Sequence, residues 1–299
     1  MSEQRLKVLY GKLEGAGGIF ARDPTGYLAI EVGIYEKHGL DVSWEHVQGT
    51  EERYRRLEGG DADVSFVVGR ASLQHFLDTG TTRIIGSSMN RCPYVLMADA
   101  TLHSAGDLKG KTVACRGTTA QIAPLTETFA ERAGLKVGTD VELTLLPGDQ
   151  HAYEALVGGT TLAALMPRPF AFLCEEKGFR RLADWPEIVD DPLPITIETL
   201  EQSVRQKEPV LIAFLNGHRE AVGYLKTHRA ATLHMLEATF GYAPSLAART
   251  YDDYLVWLDE QLTVEPGQVA RLLDQIKPEE KLNALEVASR WVAPWGLRG

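Results

Sequence analysis

The chain has 299 residues, 44% of them hydrophobic and 24% charged, so it can bury a large core and belongs to neither the disordered nor the fibrous classes. Its formal net charge is -10, with no run of five or more basic residues, which excludes nucleic acid as a partner. Cys92, Cys115 and Cys174 are an odd number at wide spacings and form neither a disulfide framework nor a zinc site, and no apolar stretch reaches the roughly 18 residues of a membrane span.

Residues 6–10 alternate as a strand almost at the N-terminus, leaving no room for the charged, apolar and cleavage regions of a signal peptide. The expectation is a cytoplasmic chain, or a periplasmic one whose export signal has been removed. Residues 25–38 then read as a helix, Gly39-Leu40 closes it, and a strand follows over 41–47. Gln48-Gly49, a polar helix over 50–57, Gly59-Gly60, a strand over 62–68 and Gly69-Arg70 complete one α/β module.

From Lys109 the same order returns. A strand over 111–115 leads to the loop Arg116-Gly117-Thr118-Thr119, a helix to residue 133, Gly134-Leu135, a strand over 142–146 and Pro147-Gly148. A further helix, Gly158-Gly159, a strand over 162–166 and Pro167-Arg168 follow. Gly49 and Gly148, Gly59 and Gly158, and Arg70 and Arg168 stand 99, 99 and 98 residues apart. Equal spacing of landmarks in equal order predicts two lobes of similar build in tandem.

After about residue 190 the pattern becomes helical. Pro209 suits the first turn of a helix that carries Leu211, Phe214, Leu215, Val222 and Leu225 on one stripe, and more helices follow over 230–240, 244–261 and 266–276. These are expected to pack on the first lobe. That lobe is then discontinuous, residues 1–90 plus 195–299, with 91–194 as the second lobe and 185–194, which hold three prolines, as a crossover.

The segments GYLAIEVGIYEKHGLDV, LEGGDADVSFVVG, SAGDLKGKTVACRGTTAQ and ARTYDDYL cover most of residues 25–255. In them the chain resembles the solute-binding proteins for sulfonates, nitrate, taurine and thiamine-pyrimidine precursors, which share their fold with the fungal pyrimidine-precursor synthases. The resemblance implies an α/β fold of the two-lobed periplasmic-binding-protein type (type II), with the ligand cleft between the lobes. It also implies the substrate-binding component of an ABC-type uptake system, with permease subunits as partners. No cofactor or metal is called for.

Ligands of open parallel sheets bind beyond the carboxyl ends of the strands, so residues at those ends are the site candidates. The loop Arg116-Gly117-Thr118-Thr119 follows a strand and opens a helix, offering backbone N–H groups and a helix dipole to an anion; its threonines equally suit a plain helix cap. Arg70 and Arg168 end equivalent strands, one per lobe, and would clamp a carboxylate or sulfonate from two sides unless they serve as surface ion pairs. Lys12, Leu13, Gln48, Gly49 and Gly69 would line the first lobe's mouth. Met89, Asn90 and Arg91 precede the first crossover, where the resemblance also places a ligand-facing residue, Arg91. Together these predict a small anionic organic ligand of sulfonate or carboxylate type.

The rival class is a cytoplasmic enzyme on the same fold, a decarboxylase or desulfinase acting on an aromatic or sulfur-containing acid. The cysteine cluster followed by Phe-Gly of the pyrimidine-precursor synthases is absent, and residues 11–18 hold no cysteine for a desulfinase nucleophile. Cys92 and His46 are the residues with suitable chemistry if catalysis occurs. A ligand sensor that neither transports nor catalyses is the third possibility.

Overall fold

The computed structural model describes residues 4–11, 14–15, 18–19, 23–47, 49–89, 94–117, 122–184, 192–277, 279–280 and 282–296. Two five-stranded sheets organise the chain. In the first, β1 (Gln4–Gly11) pairs in parallel with β4 (Leu40–Val47) and β5 (Val64–Val67), and β12 (Ile195–Leu200) lies antiparallel between β5 and β6 (Thr82–Met89). In the second, β8 (Lys111–Arg116) pairs in parallel with β9 (Val141–Leu146) and β10 (Ala163–Pro167), and β7 (Tyr94–Ala98) lies antiparallel between β10 and β11 (Arg180–Asp184).

The orders β4-β1-β5-β12-β6 and β9-β8-β10-β7-β11 are the same order with the halves exchanged. Each sheet receives one antiparallel strand from the chain that has just left the other sheet. The crossings fall between Met89 and Tyr94 and between Asp184 and Ile195.

The repeat extends to backbone angles. Helices α3 (Thr50–Glu58) and α6 (Asp149–Val157) end at Gly59 (φ -74°, ψ -4°) and Gly158 (φ -78°, ψ -3°), and the following Gly60 and Gly159 adopt φ of 76° and 74°. A second glycine in the left-handed region turns each chain out of its helix toward the next strand. Helices α4 (Gly69–Thr79) and α7 (Arg168–Glu176) then open directly from β5 and β10, so Gly69-Arg70 and Arg168 begin helices.

Some expected elements divide or shorten. The helix expected over 25–38 is two helices, α1 (Thr25–Glu31) and α2 (Ile34–Lys37), because Gly33 takes φ of 72° between them. The helix expected over 244–261 ends at Trp257, where Leu258 turns extended and bridges Met89. Between Gly15 and Gly18 the short strands β2 (Glu14–Gly15) and β3 (Gly18–Ile19) pair, and β2 reaches across to α6 of the second sheet.

The late helices cover the first sheet. After α5 (Ile122–Arg132) in the second unit come α8 (Glu201–Gln206) and α9 (Glu208–Thr227), the latter packed on α1, α2 and β4. Helices α10 (Arg229–Phe240) and α11 (Pro244–Trp257) follow, and α12 (Pro266–Ile276) and α13 (Ala284–Trp291) close against α4 and β6. One apolar cluster runs through both sheets, joining Val8, Phe66 and Ile197 to Met97, Ala114, Met166 and Phe170. A second, with Leu96, Val113 and Phe129, fills the other face of the second sheet. Among the described residues no helix is long and apolar enough to cross a membrane.

The signature Asp107-Leu108-Lys109-Gly110-Lys111 has a local folding role. Asp107 Oδ2 accepts the backbone N–H groups of His103 and Ser104 at 2.7 and 2.9 Å, and Gly110 adopts φ of 73° to start β8. The motif leads the chain from β7 into β8 within the second sheet and carries no information about a ligand.

Candidate ligand cleft

The parallel strands of the first sheet end at Gly11, Val47 and Val67, and those of the second at Arg116, Leu146 and Pro167. These are the edges beyond which an open parallel sheet takes a ligand.

At the first edge the register sets Tyr10 beside His46 and Val8 beside Trp44. Residues 40, 42, 44 and 46 share one face of β4, so Trp44 and His46 project together toward α1. The His46 ring stacks on Tyr27 with centroids 5.5 Å apart, its Nε2 bonds the Tyr27 hydroxyl, and Tyr10 meets it edge-on at 5.9 Å. Trp44 lies 5.6 Å from the Tyr10 ring, and Phe240 meets Tyr27 at 5.1 Å. An aromatic wall of Tyr10, Tyr27 and Trp44 thus stands around His46, the residue whose chemistry would suit catalysis. Alternation of Trp44 with His46 was the available signal.

Behind the wall, His218 of α9 is fully buried against Trp44 and Phe214. Its Nδ1 lies 2.8 Å from the Tyr35 hydroxyl and its Nε2 3.8 Å from Asp23 Oδ2, while Asp23 Oδ1 accepts the Thr25 N–H at 2.9 Å. Burial pushes the Asp23 carboxyl upward, but His218 and the Thr25 donors outweigh it and hold the carboxyl below its ordinary value. Burial raises the Tyr35 hydroxyl well above its ordinary value, with the Asp23 charge adding to the effect. This group ties the start of α1 to α2 and α9.

The named site residues fall into three groups. Gly49, Gly69 and Gly117 have backbone reasons to be glycine. Gly49 precedes α3 with φ of 83°. A Cβ on Gly69 would stand 2.1 Å from the Leu193 carbonyl oxygen, and one on Gly117 would stand 2.5 Å from Leu145 Cβ. Gly69 therefore lets α4 seat the returning crossover, and Gly117 lets β8 approach β9.

Of the candidate arginines, Arg70, Arg116 and Arg168 are described, and all three engage protein groups. Arg116 Nη1 donates to Asp149 Oδ2 at 3.2 Å, and the buried Asp149 carboxylate also accepts the Tyr94 hydroxyl at 3.1 and 3.2 Å. Arg70 Nη1 donates to Gln275 Oε1 at 3.2 Å. Arg168 Nη2 donates to Asp184 Oδ1 at 3.0 Å, its Nη1 lies 3.5 Å from Asp253 Oδ1, and the guanidinium sits over the Trp257 ring at 5.9 Å. Arg181 joins Asp184 to Glu175, which also binds Arg249 of α11. Burial pushes Asp253 up to about 6, against the pull of Arg168 and Arg181. Lys12, Leu13, Gln48, Asn90, Arg91, Cys92, Thr118 and Thr119 lie outside the described residues.

No family model matches the chain, and no curated protein matches its sequence. Solved structures do match its shape along nearly its whole length. The periplasmic aliphatic sulphonate binding protein SsuA of Escherichia coli aligns with a TM-score of 0.80 at 17% identity, covering 99% of this chain and 94% of that one. The alkanesulfonate-binding protein SsuA of Xanthomonas axonopodis pv. citri, bound to MOPS, aligns at 0.73 and 16% identity over 98% and 100% of the two chains. A Candida albicans protein described as having the generic periplasmic binding protein fold aligns at 0.73 and 13% identity over 98% and 97%. The fold of this chain is that of the periplasmic binding proteins.

Proposed function

We propose that the chain binds a small anionic organic molecule, of sulfonate or carboxylate type, in the cleft between its two sheets, and serves as the substrate-binding component of an ABC-type uptake system. The observation that carries this is the repeated strand order with exchanged crossover strands, spanning the full length of proteins described as sulfonate-binding. An uptake component works with permease subunits on the outer side of a membrane, and the reading therefore carries a periplasmic location and those partners with it.

The ligand contacts we assign are the strand-end residues, Lys12, Leu13, Gln48 and Gly49 from the first sheet and Arg116 to Thr119 from the second, with Arg91 at the crossover. Arg70 and Arg168 reach a ligand by exchanging Gln275 and the Asp184–Asp253 pair for it, which makes their contribution smaller than that of an arginine held free for the purpose. The aromatic wall of Tyr10, Tyr27 and Trp44 gives the organic part of the ligand an apolar face. Calorimetric titration with alkanesulfonates, aromatic carboxylates, alkylamines and neutral sugars tests the reading. Binding is expected for acids alone, and binding of an amine or sugar in preference to every acid would overturn it.

A further inference from the structure

Four neighbouring strands of the second sheet come level at one edge. Arg116, the last residue of β8, stands beside Leu146 of β9, and Pro167 of β10 stands beside Tyr94, where β7 begins after the first crossover. Helix α6 opens at the same edge with Asp149, and β2 of the first unit lies against that helix.

Three of these side chains form one hydrogen-bonded group. The Tyr94 hydroxyl donates to both carboxylate oxygens of Asp149, at 3.1 and 3.2 Å, and Arg116 Nη1 donates to Oδ2 at 3.2 Å. Asp149 and Tyr94 are buried, and 12% of the Arg116 side chain is exposed. With both oxygens engaged, the carboxylate cannot rotate without losing a bond. Tyr94 therefore fixes Asp149, and Asp149 fixes the plane of the guanidinium.

A guanidinium carries five N–H groups in one plane. A carboxylate on Nη1 leaves the opposite, side-on edge, formed by Nε and Nη2, to other acceptors. Among the described residues Nη1 makes the one hydrogen bond of this guanidinium, and the buried Nε has no partner. Arg168 differs, because both its Nη groups already face carboxylates. A buried N–H without an acceptor is costly, so an edge held in this way suits an acceptor that arrives with a ligand.

We propose that Asp149 and Tyr94 are positioning residues for the anionic head of the ligand, holding Arg116 by Nη1 so that its Nε–Nη2 edge pairs side-on with two oxygens of one carboxylate or sulfonate. This rests on the reading of the chain as an anion binder. The Asp149 charge offsets that of Arg116, so the head is recognised by the geometry of two N–H···O bonds more than by net charge. Chloride, which offers a single atom to the fork, is then a poor ligand. Tyr94 acts at one remove, through Asp149.

The test combines calorimetric titration of methanesulfonate and benzoate with NMR of the arginine Nε–H groups. It uses the full chain and the variants Tyr94→Phe, Asp149→Asn and Arg116→Lys, with folding checked by circular dichroism. The Arg116 Nε resonance is assigned by its loss in Arg116→Lys. Either acid is expected to shift that resonance in the unaltered chain, and sodium chloride to leave it in place. Lysine has no side-on edge, so Arg116→Lys should bind both acids about thirtyfold more weakly. Asp149→Asn should lose about tenfold and Tyr94→Phe about threefold, each with a smaller Nε shift on binding. Residues that served the fold alone would lower stability and leave the Nε response intact. An Arg116 Nε resonance that stays in place at saturating acid overturns this inference and leaves the anion-binding reading standing. Undiminished affinity in both Tyr94→Phe and Asp149→Asn, or an equal shift with sodium chloride, does the same. Should Asp149→Asn fail to fold, Tyr94→Phe and the unaltered chain decide. Failure of every acid to bind refutes both readings.

Discussion

Gly26 and Trp44 touch so closely that a Cβ on the glycine would lie 2.3 Å from the indole Cζ3. The first turn of α1 thus rests on the ring that stacks on His218 and borders the aromatic wall.

Gly26→Ala is therefore expected to displace Trp44 or tilt α1, costing about 1–3 kcal/mol as an overpacked core does. Urea denaturation followed by tryptophan fluorescence measures both the loss and the shifted ring. An unchanged midpoint with unchanged emission would show that the helix gives way freely and that the contact does not fix the wall.

The two sheet units share the turn after α3 and α6, with Gly60 at φ 76° and Gly159 at φ 74° and open space where each Cβ would go. Alanine at either position meets only backbone strain, so Gly60→Ala and Gly159→Ala should each cost about 1 kcal/mol. Chemical denaturation of both variants checks this. A loss at one position and none at the other would break the equivalence of the two turns.

Arg168 holds Asp184 and Asp253 together between α7 and α11. Arg168→Met leaves two carboxylates without that partner and is expected to destabilise by about 1–3 kcal/mol at pH 8. Because burial raises Asp253 to about 6, that carboxyl takes up a proton below this value, and the loss should shrink at pH 5. Denaturation at the two pH values measures it, and a loss that grows on acidification would contradict the role given to Asp253.

Glu198 of β12 offers a stability test independent of any ligand. Burial raises its folded value to about 7, above the ordinary glutamate value of about 4.3, so the native state retains a proton that the unfolded chain releases. Its contribution is then fully present below about pH 4 and is lost as the pH rises through 7. Glu198→Gln removes that loss and should be more stable than the unaltered chain by about 2–3 kcal/mol at pH 8, with little difference at pH 5. Equal stability at pH 8 would show that the carboxylate is fully compensated when ionised.

Local features carried much of the architecture into the sequence. Alternation marked β1, β4 and β5, and the glycine pairs 59–60 and 158–159 announced the repeat because each must supply a left-handed residue at the same place. Strands β6, β7, β11 and β12 escaped notice, since they are buried on both faces or take their pairing from distant chain and so lack a clean period of two. The break at Gly33 was equally hidden, as a glycine inside a helical pattern does not reveal its φ.

For the candidate residues, the place at a strand end was legible in the sequence and the partners were not. Arg70, Arg116 and Arg168 were found as strand-end residues, but Gln275, Asp149 and Asp253 that receive them come from helices far along the chain. Nothing in the local pattern of Glu198 distinguishes it from a solvent-facing charge. Glu198 is buried because β12 enters the first sheet, where the Ser72 hydroxyl of α4 donates to its Oε2.

Incubation of the purified chain with a panel of aliphatic and aromatic sulfonates and carboxylates, followed by native mass spectrometry of the complex and mass analysis of every recovered compound, tests the proposed binding function most directly. The expected result is one acid bound per chain and returned chemically unchanged. Failure of every acid to bind, or recovery of a decarboxylated or desulfonated product in excess of the protein, would contradict it.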